Sequence, residues 1–180
     1  MKILYISITL IAALGFGFVL EMVKVNINYT LENAAKIPEY YTHSNDERVL
    51  LMSEAAIYAP YDYYHNHRVI SSLYSLSENQ LNKLKWATTL AGTVVFMLFH
   101  LLLLKLITGQ TQLLKWTVWI YLLLFALSFG VYLFGTATGT LQYAYGVSRK
   151  IAGALQSLIP LMFILPGWWL WRATQSKPDL

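Results

Sequence analysis

Three groups of side chains in this 180-residue chain have types and spacings that could do chemistry. Asp62, His65 and His67 fall within one short stretch, and two imidazoles with a carboxylate are a reasonable divalent-metal set. Side chains two apart share a side only on a strand, and no second ligand pair follows, so the same residues also read as a polar loop. His100 and Gln156 lie inside long apolar runs. An ionisable group at membrane depth is a functional candidate by default, and it can equally donate to a neighbouring helix. Lys105, five residues on, is placed to snorkel. The third group, Arg149-Lys150, stands just before the last apolar run. There it can hold an anionic headgroup, or a carboxylate from a substrate or a partner.

Other chemistries find little support. Cysteine is absent, which excludes disulfides, thiolate metal sites and a cysteine nucleophile. No nucleophile–base–orienter set, phosphate loop or dinucleotide fingerprint is present. A proton relay would need several buried acids, and Glu21 is the one acid inside an apolar run, at its edge. The expectation is a protein that is not an enzyme and holds no metal or cofactor. The net charge of +4 is small and its cations are scattered, so a nucleic-acid partner is not expected. Anionic lipid at the ends of the apolar runs is the natural partner.

Four apolar runs must position these groups: residues 3–22, 86–104, 113–134 and 151–171. Each approaches the ~20 residues that a helix needs to cross a bilayer core, and lipid leaves the backbone no partner outside a helix. With 57% hydrophobic and 12% charged residues, the expected fold is an all-α membrane protein. It has four transmembrane helices in one domain over residues 1–180. A partly helical extracytoplasmic loop, residues 23–85, joins the first two. The first run reads as an uncleaved signal anchor, because it is longer than a signal-peptide core and no small-x-small cleavage site follows. Lysine and arginine counts on the two sides are level, so charge does not set the orientation. The two-residue tail before the first run and the length of the loop favour both termini in the cytoplasm.

Within the loop, residues 23–45 are polar and interrupted by Pro38. Residues 46–57 read as a short amphipathic helix with Val49, Leu50, Met52 and Ile57 on one side. Pro60, Tyr61, Asp62, Tyr63 and Tyr64 form an aromatic stretch. Ser77 and Gln80 match a capping box, which predicts a helix from about Glu78 into the second span. About eight residues, 105–112, link the second and third spans into an antiparallel pair. The link to the fourth carries Gly135, Gly139, Gly146, Tyr143 and Tyr145, and Pro160 and Pro166 predict a bent fourth helix. Small residues at Ala13 and Gly17, and at Ala87 and Ala91, offer faces for close helix packing, and Gln156 with Ser157 offers packing through hydrogen bonds.

This pattern resembles the small four-span membrane proteins associated with bacterial exosortases. The resemblance is carried by the signal-anchor first span and by the segment Ile57-Tyr58-Ala59-Pro60-Tyr61-Asp62-Tyr63-Tyr64. It is carried also by the lead from Leu76-Ser77-Glu78-Asn79-Gln80-Leu81 to Leu84-Lys85-Trp86, and by the stretch from Ser148-Arg149-Lys150 to Leu158-Ile159-Pro160. The resemblance implies a non-catalytic accessory subunit of the bacterial plasma membrane. Its partner would be an exosortase, a transpeptidase-like enzyme using cysteine, arginine and histidine; a chain without cysteine cannot be that enzyme. Arg149 and Lys150 with residues 60–64 are then the expected partner contact. Two alternatives are a small subunit of a transporter or respiratory complex using His100 and Gln156, and a metal-dependent membrane enzyme using Asp62, His65 and His67.

Overall fold

The computed structural model describes residues 1–57 and 70–175, and among these all regular structure is helical. The order is α1 (Lys2–Ala34), a 3-10 turn (Tyr40–Thr42), α2 (Asn45–Ile57), a second 3-10 turn (Ser71–Leu73), α3 (Glu78–Thr108), α4 (Thr111–Thr138), α5 (Leu141–Leu155) and α6 (Ile159–Gln175). Three helices, α1, α3 and α4, are each long and apolar enough to cross a membrane. The pair α5 and α6 would make a fourth crossing if taken as one broken span. The chain divides into two compact units: Met1–Gly17 with Ala91–Leu180, and Phe18–Leu90.

In the first unit the usual distribution of polarity is inverted. Leu123, Phe134 and Phe163 are about 70% exposed, whereas Thr93, His100, Thr117, Ser128, Ser148 and Gln156 are buried. An apolar exterior suits hydrocarbon, and buried polar groups then serve to join helices. Leu103, Leu104, Leu113 and Leu161 form an apolar cluster with Ile6 and Leu10 packed on it. Phe96 packs against both Phe16 and Phe99, and its ring tip comes within 3.1 Å of where a Cβ on Gly17 would stand. The small position at Gly17 therefore admits an aromatic ring. The expected eight-residue link between the second and third spans contracts to Gly109-Gln110, because Gly109 takes φ +70° and turns the chain at once.

The fourth apolar run does not form one bent helix. It is cut at residues 156–158, where α5 and α6 meet at 61°. Pro160 has no N–H for the carbonyl four residues back, and proline disfavours helical geometry in the residue before it. Ser157 then stabilises the break on both sides: its hydroxyl donates to the Ala154 carbonyl and accepts from the Ile159 N–H. Pro166 lies within α6 without ending it. Residues 141–150, expected as part of a link, are the first two-thirds of α5.

The second unit has its own core. Ala34, Tyr40, Met52 and Tyr74 are buried together, and Ile27, Leu73 and Leu81 form another cluster. α1 runs on to Ala34 rather than ending near Met22. The asparagines and threonine of that stretch bond back into the helix, Asn26 to the Met22 carbonyl and Thr30 to that of Asn26, so their polarity does not end it. Asn26 Oδ1 also accepts from the Ile70 N–H. α2 forms as expected, with Met52 buried and Val49 half-buried, but Leu50 faces outward. A capping box that the sequence reading missed starts it: Glu47 accepts from the Ser44 N–H, and Ser44 Oγ accepts from the Glu47 N–H. The expected box at the start of α3 is present, with Gln80 accepting from Ser77 N–H at 2.8 Å. Arg48 ties the unit together by donating to the carbonyls of Tyr41, His43 and Ser75.

Candidate functional site

Most of the polar groups buried in the first unit gather along the seam between α4 and α5 and around the break that follows α5. Three levels fix the antiparallel register of the two helices. Gly135 faces Ala144 so closely that a Cβ on the glycine would come within 2.1 Å of the alanine Cβ. Seven residues away, Ser128 Oγ donates to the Ser148 carbonyl at 3.0 Å and pairs with its hydroxyl at 2.9 Å. Seven further, Tyr121 donates to the Leu155 carbonyl at 2.9 Å. A seven-residue spacing keeps one stripe of a helix facing one partner. Gly135, Ser128 and Tyr121 are that stripe.

At the third level the break creates the demand that Tyr121 meets. In an unbroken helix the Leu155 carbonyl would accept from the N–H of Ile159. Here that N–H is taken by Ser157, and the phenol of Tyr121 replaces it. The same phenol lies 2.5 Å from His100 Nδ1. A tyrosine hydroxyl has one proton, and a carbonyl can only accept. The phenol oxygen thus bridges the Leu155 carbonyl and His100 Nδ1, with the direction of the second bond set by the ring's tautomer. His100 is fully buried, and Nε2 has no hydrogen-bond partner of proper geometry.

Gln156, the first residue of the break, donates through Nε2 to Thr93 Oγ1 at 2.8 Å, joining the break to α3. Gln156 thus lies in the break and His100 approaches it from α3 through Tyr121, each bonding to a different residue. Sequence reasoning found these two and missed Thr93, Tyr121, Ser128 and Ser148. The available signal was the seven-residue spacing of Tyr121, Ser128 and Gly135 in an otherwise apolar run.

Arg149 and Lys150 directly follow Ser148 on α5 and are exposed. The rest of the α5 exterior is also unusual for an apolar bundle: Gln142, Tyr143 and Gly153 share it, while Ala144, Ser148 and Leu155 are buried. Neither cation makes an ion pair or hydrogen bond among the described residues. The other expected contact residues, Pro60, Tyr61, Asp62, Tyr63 and Tyr64, lie outside the described residues, as do His65 and His67. No group of three or more metal-ligating side chains occurs among the described residues. No family model, curated protein or solved structure matches this chain.

Proposed function

We propose that this chain is a non-catalytic accessory subunit of a bacterial plasma-membrane complex that docks a partner through the polar face of α5. In this reading α1, α3, α4 and the broken pair α5–α6 are the four spans, and both termini are cytoplasmic. The partner is an exosortase-type sorting enzyme, as the sequence resemblance suggests.

The observation that carries the reading is the place of Arg149 and Lys150 on the exposed side of α5, without an ion pair or hydrogen bond among the described residues. They sit one step from Ser148, which pairs with Ser128. At about 1.5 Å per residue, that level is about 7 Å from the middle of the 113–134 apolar run. With the bilayer centred on that run, a hydrocarbon core of half-thickness about 15 Å would enclose the Cα atoms of both cations. A bare arginine or lysine near the centre of a span costs on the order of 3 kcal/mol. A carboxylate on a partner helix removes that penalty and gives the contact its specificity.

The test is co-purification of this protein with its membrane partner from cells carrying Arg149→Ala, Lys150→Ala or both. Removing one member of a desolvated pair costs a few kcal/mol, so recovery of the partner should fall about tenfold or more. Helix content and thermal unfolding of the purified variants should match the parent. If both cations snorkel to headgroups instead, association is unchanged and the reading fails.

The break at residues 156–158 favours a second reading, a small transporter or respiratory-complex subunit. Interrupted helices with buried polar groups hold substrates and ions in many transporters. Proton or substrate flux in proteoliposomes that disappears with His100→Leu, while Arg149→Ala has no effect, would establish it in place of the first.

A further inference from the structure

Charge is distributed one-sidedly among the described side chains of the first unit. Lys2, Lys105, Lys115, Arg149, Lys150 and Arg172 are cationic, and none is acidic. Apart from the α5 pair, these cations stand at one end of the unit. Lys2, at the start of α1, donates to the Ile107 carbonyl in the last turn of α3 at 3.4 Å. Lys105 lies two residues before that carbonyl, and Lys115 is one turn into α4, just past the tight turn at Gly109. Arg172, in the last turn of α6, sits 5.7 Å from the ring centre of Trp168. Ile6 of α1, Leu114 of α4 and Trp168 of α6 pack on the cluster that holds Leu104 of α3, so the ends of these four helices meet at one level.

Two further features bear on what faces this end. Trp116 of α4 and Trp169 and Trp171 of α6 lie within a turn or so of its cations and are exposed. Exposed tryptophan near the end of an apolar helix belongs at the boundary between hydrocarbon and headgroups. The cations also have donors to spare. Lys105 and Lys115 are exposed and make no ion pair or hydrogen bond among the described residues. Lys2 spends one of its three N–H donors on Ile107. Their methylene stems can lie along the apolar exterior while the charged heads reach the headgroup layer.

We infer that this end of the first unit is a docking surface for anionic phospholipid, with headgroup phosphates held among Lys2, Lys105, Lys115 and Arg172. Basic groups at the end of a helical bundle attract negatively charged headgroups, and the attraction fades within a Debye length. A zwitterionic headgroup fits less well, because its own cation would meet four others and no described carboxylate. The exposed tryptophans put the hydrocarbon boundary at the same level, and a phosphate held at that boundary belongs to a lipid. The inference rests on the membrane placement of the first unit and not on the partner proposed for α5, so partner recovery and lipid preference can fail separately.

The test uses the full-length protein with Trp86→Phe, which leaves tryptophan in the first unit alone, reconstituted in phosphatidylcholine vesicles. Brominated lipids quench the tryptophans they touch. At equal mole fraction, brominated phosphatidylglycerol should quench more strongly than brominated phosphatidylcholine, and added salt should narrow the difference. Lys105→Gln with Lys115→Gln should lower this preference about fivefold or more, since one cation near an anionic surface contributes about fivefold. Both positions are exposed, so the variant should fold; far-ultraviolet circular dichroism checks this. Lys36→Gln with Lys83→Gln removes the same charge from exposed sites of the second unit and should leave the preference unchanged. The inference is overturned if the two lipids quench equally or if the Lys105 and Lys115 variant keeps the parent's preference. It is overturned also if the control pair lowers the preference as much. Loss of the preference in inorganic phosphate, but not in chloride of the same ionic strength, would assign the cations to a soluble anion and overturn it too.

Discussion

Replacing Tyr121 by phenylalanine removes one oxygen and unpairs two groups. The Leu155 carbonyl loses the donor that replaces its missing helical partner, and His100 Nδ1 loses its partner. Tyr121 is 2% exposed and His100 fully buried, so water does not step in. An interhelical hydrogen bond in a membrane protein contributes on average ~0.6 kcal/mol and at most ~1.7 kcal/mol. Two such bonds give an expected loss of about 1 to 3 kcal/mol. The measurement is equilibrium unfolding of purified protein in mixed bicelles with increasing dodecyl sulfate, followed by circular dichroism. His100→Leu should cost less, because it removes one bond but also removes the unpartnered Nε2. In the His100→Leu background, Tyr121→Phe should lose only the Leu155 bond, so the two changes should be non-additive by about 0.5 kcal/mol or more. A Tyr121→Phe protein within ~0.3 kcal/mol of the parent would refute the claim that this hydroxyl stabilises the break.

Two further outcomes follow from other parts of the fold. Gly135→Ala should destabilise the α4–α5 hairpin by about 1–3 kcal/mol, since its Cβ would collide with that of Ala144. Ala144→Gly should restore it, and Gly130→Ala, where a Cβ meets open space, should be nearly neutral in the same unfolding assay. In the second unit, burial pushes Tyr40 and Tyr74 up to about 12. The unfolded value is about 10, so the neutral phenols contribute stability that is complete below about pH 10 and is lost as pH rises towards about 12. Phenolate absorbance and proteolytic susceptibility of this unit should rise together over that window. Tyr40→Phe, which also removes the 2.7 Å bond from Tyr40 to the Tyr74 carbonyl, should flatten the pH dependence. Independence of stability from pH across that window in the parent would count against it.

The sequence by itself determined that the chain is helical, with long apolar elements, because lipid-length runs and local capping signals need only neighbouring residues. Ser77 and Gln80 are three apart, and their box appears as read, as does the helix that follows it. What the sequence could not settle was which of several available partners each polar side chain takes. α1 passes through Asn26, Thr30 and Asn33 because those side chains turn back on their own helix, a choice that polarity alone does not reveal. Pro160 signals a disturbance, but whether it yields a bend or a break depends on whether the freed carbonyls find donors. Tyr121, thirty-four residues from Leu155, supplies one of them. The surroundings of His100 and Gln156 were equally hidden, since Thr93 and Tyr121 look like ordinary span residues until α3, α4 and α5 pack. A cavity in the second unit, lined by Leu31, Tyr41 and Glu78, joins residues from either side of α2, so only the tertiary fold could form it.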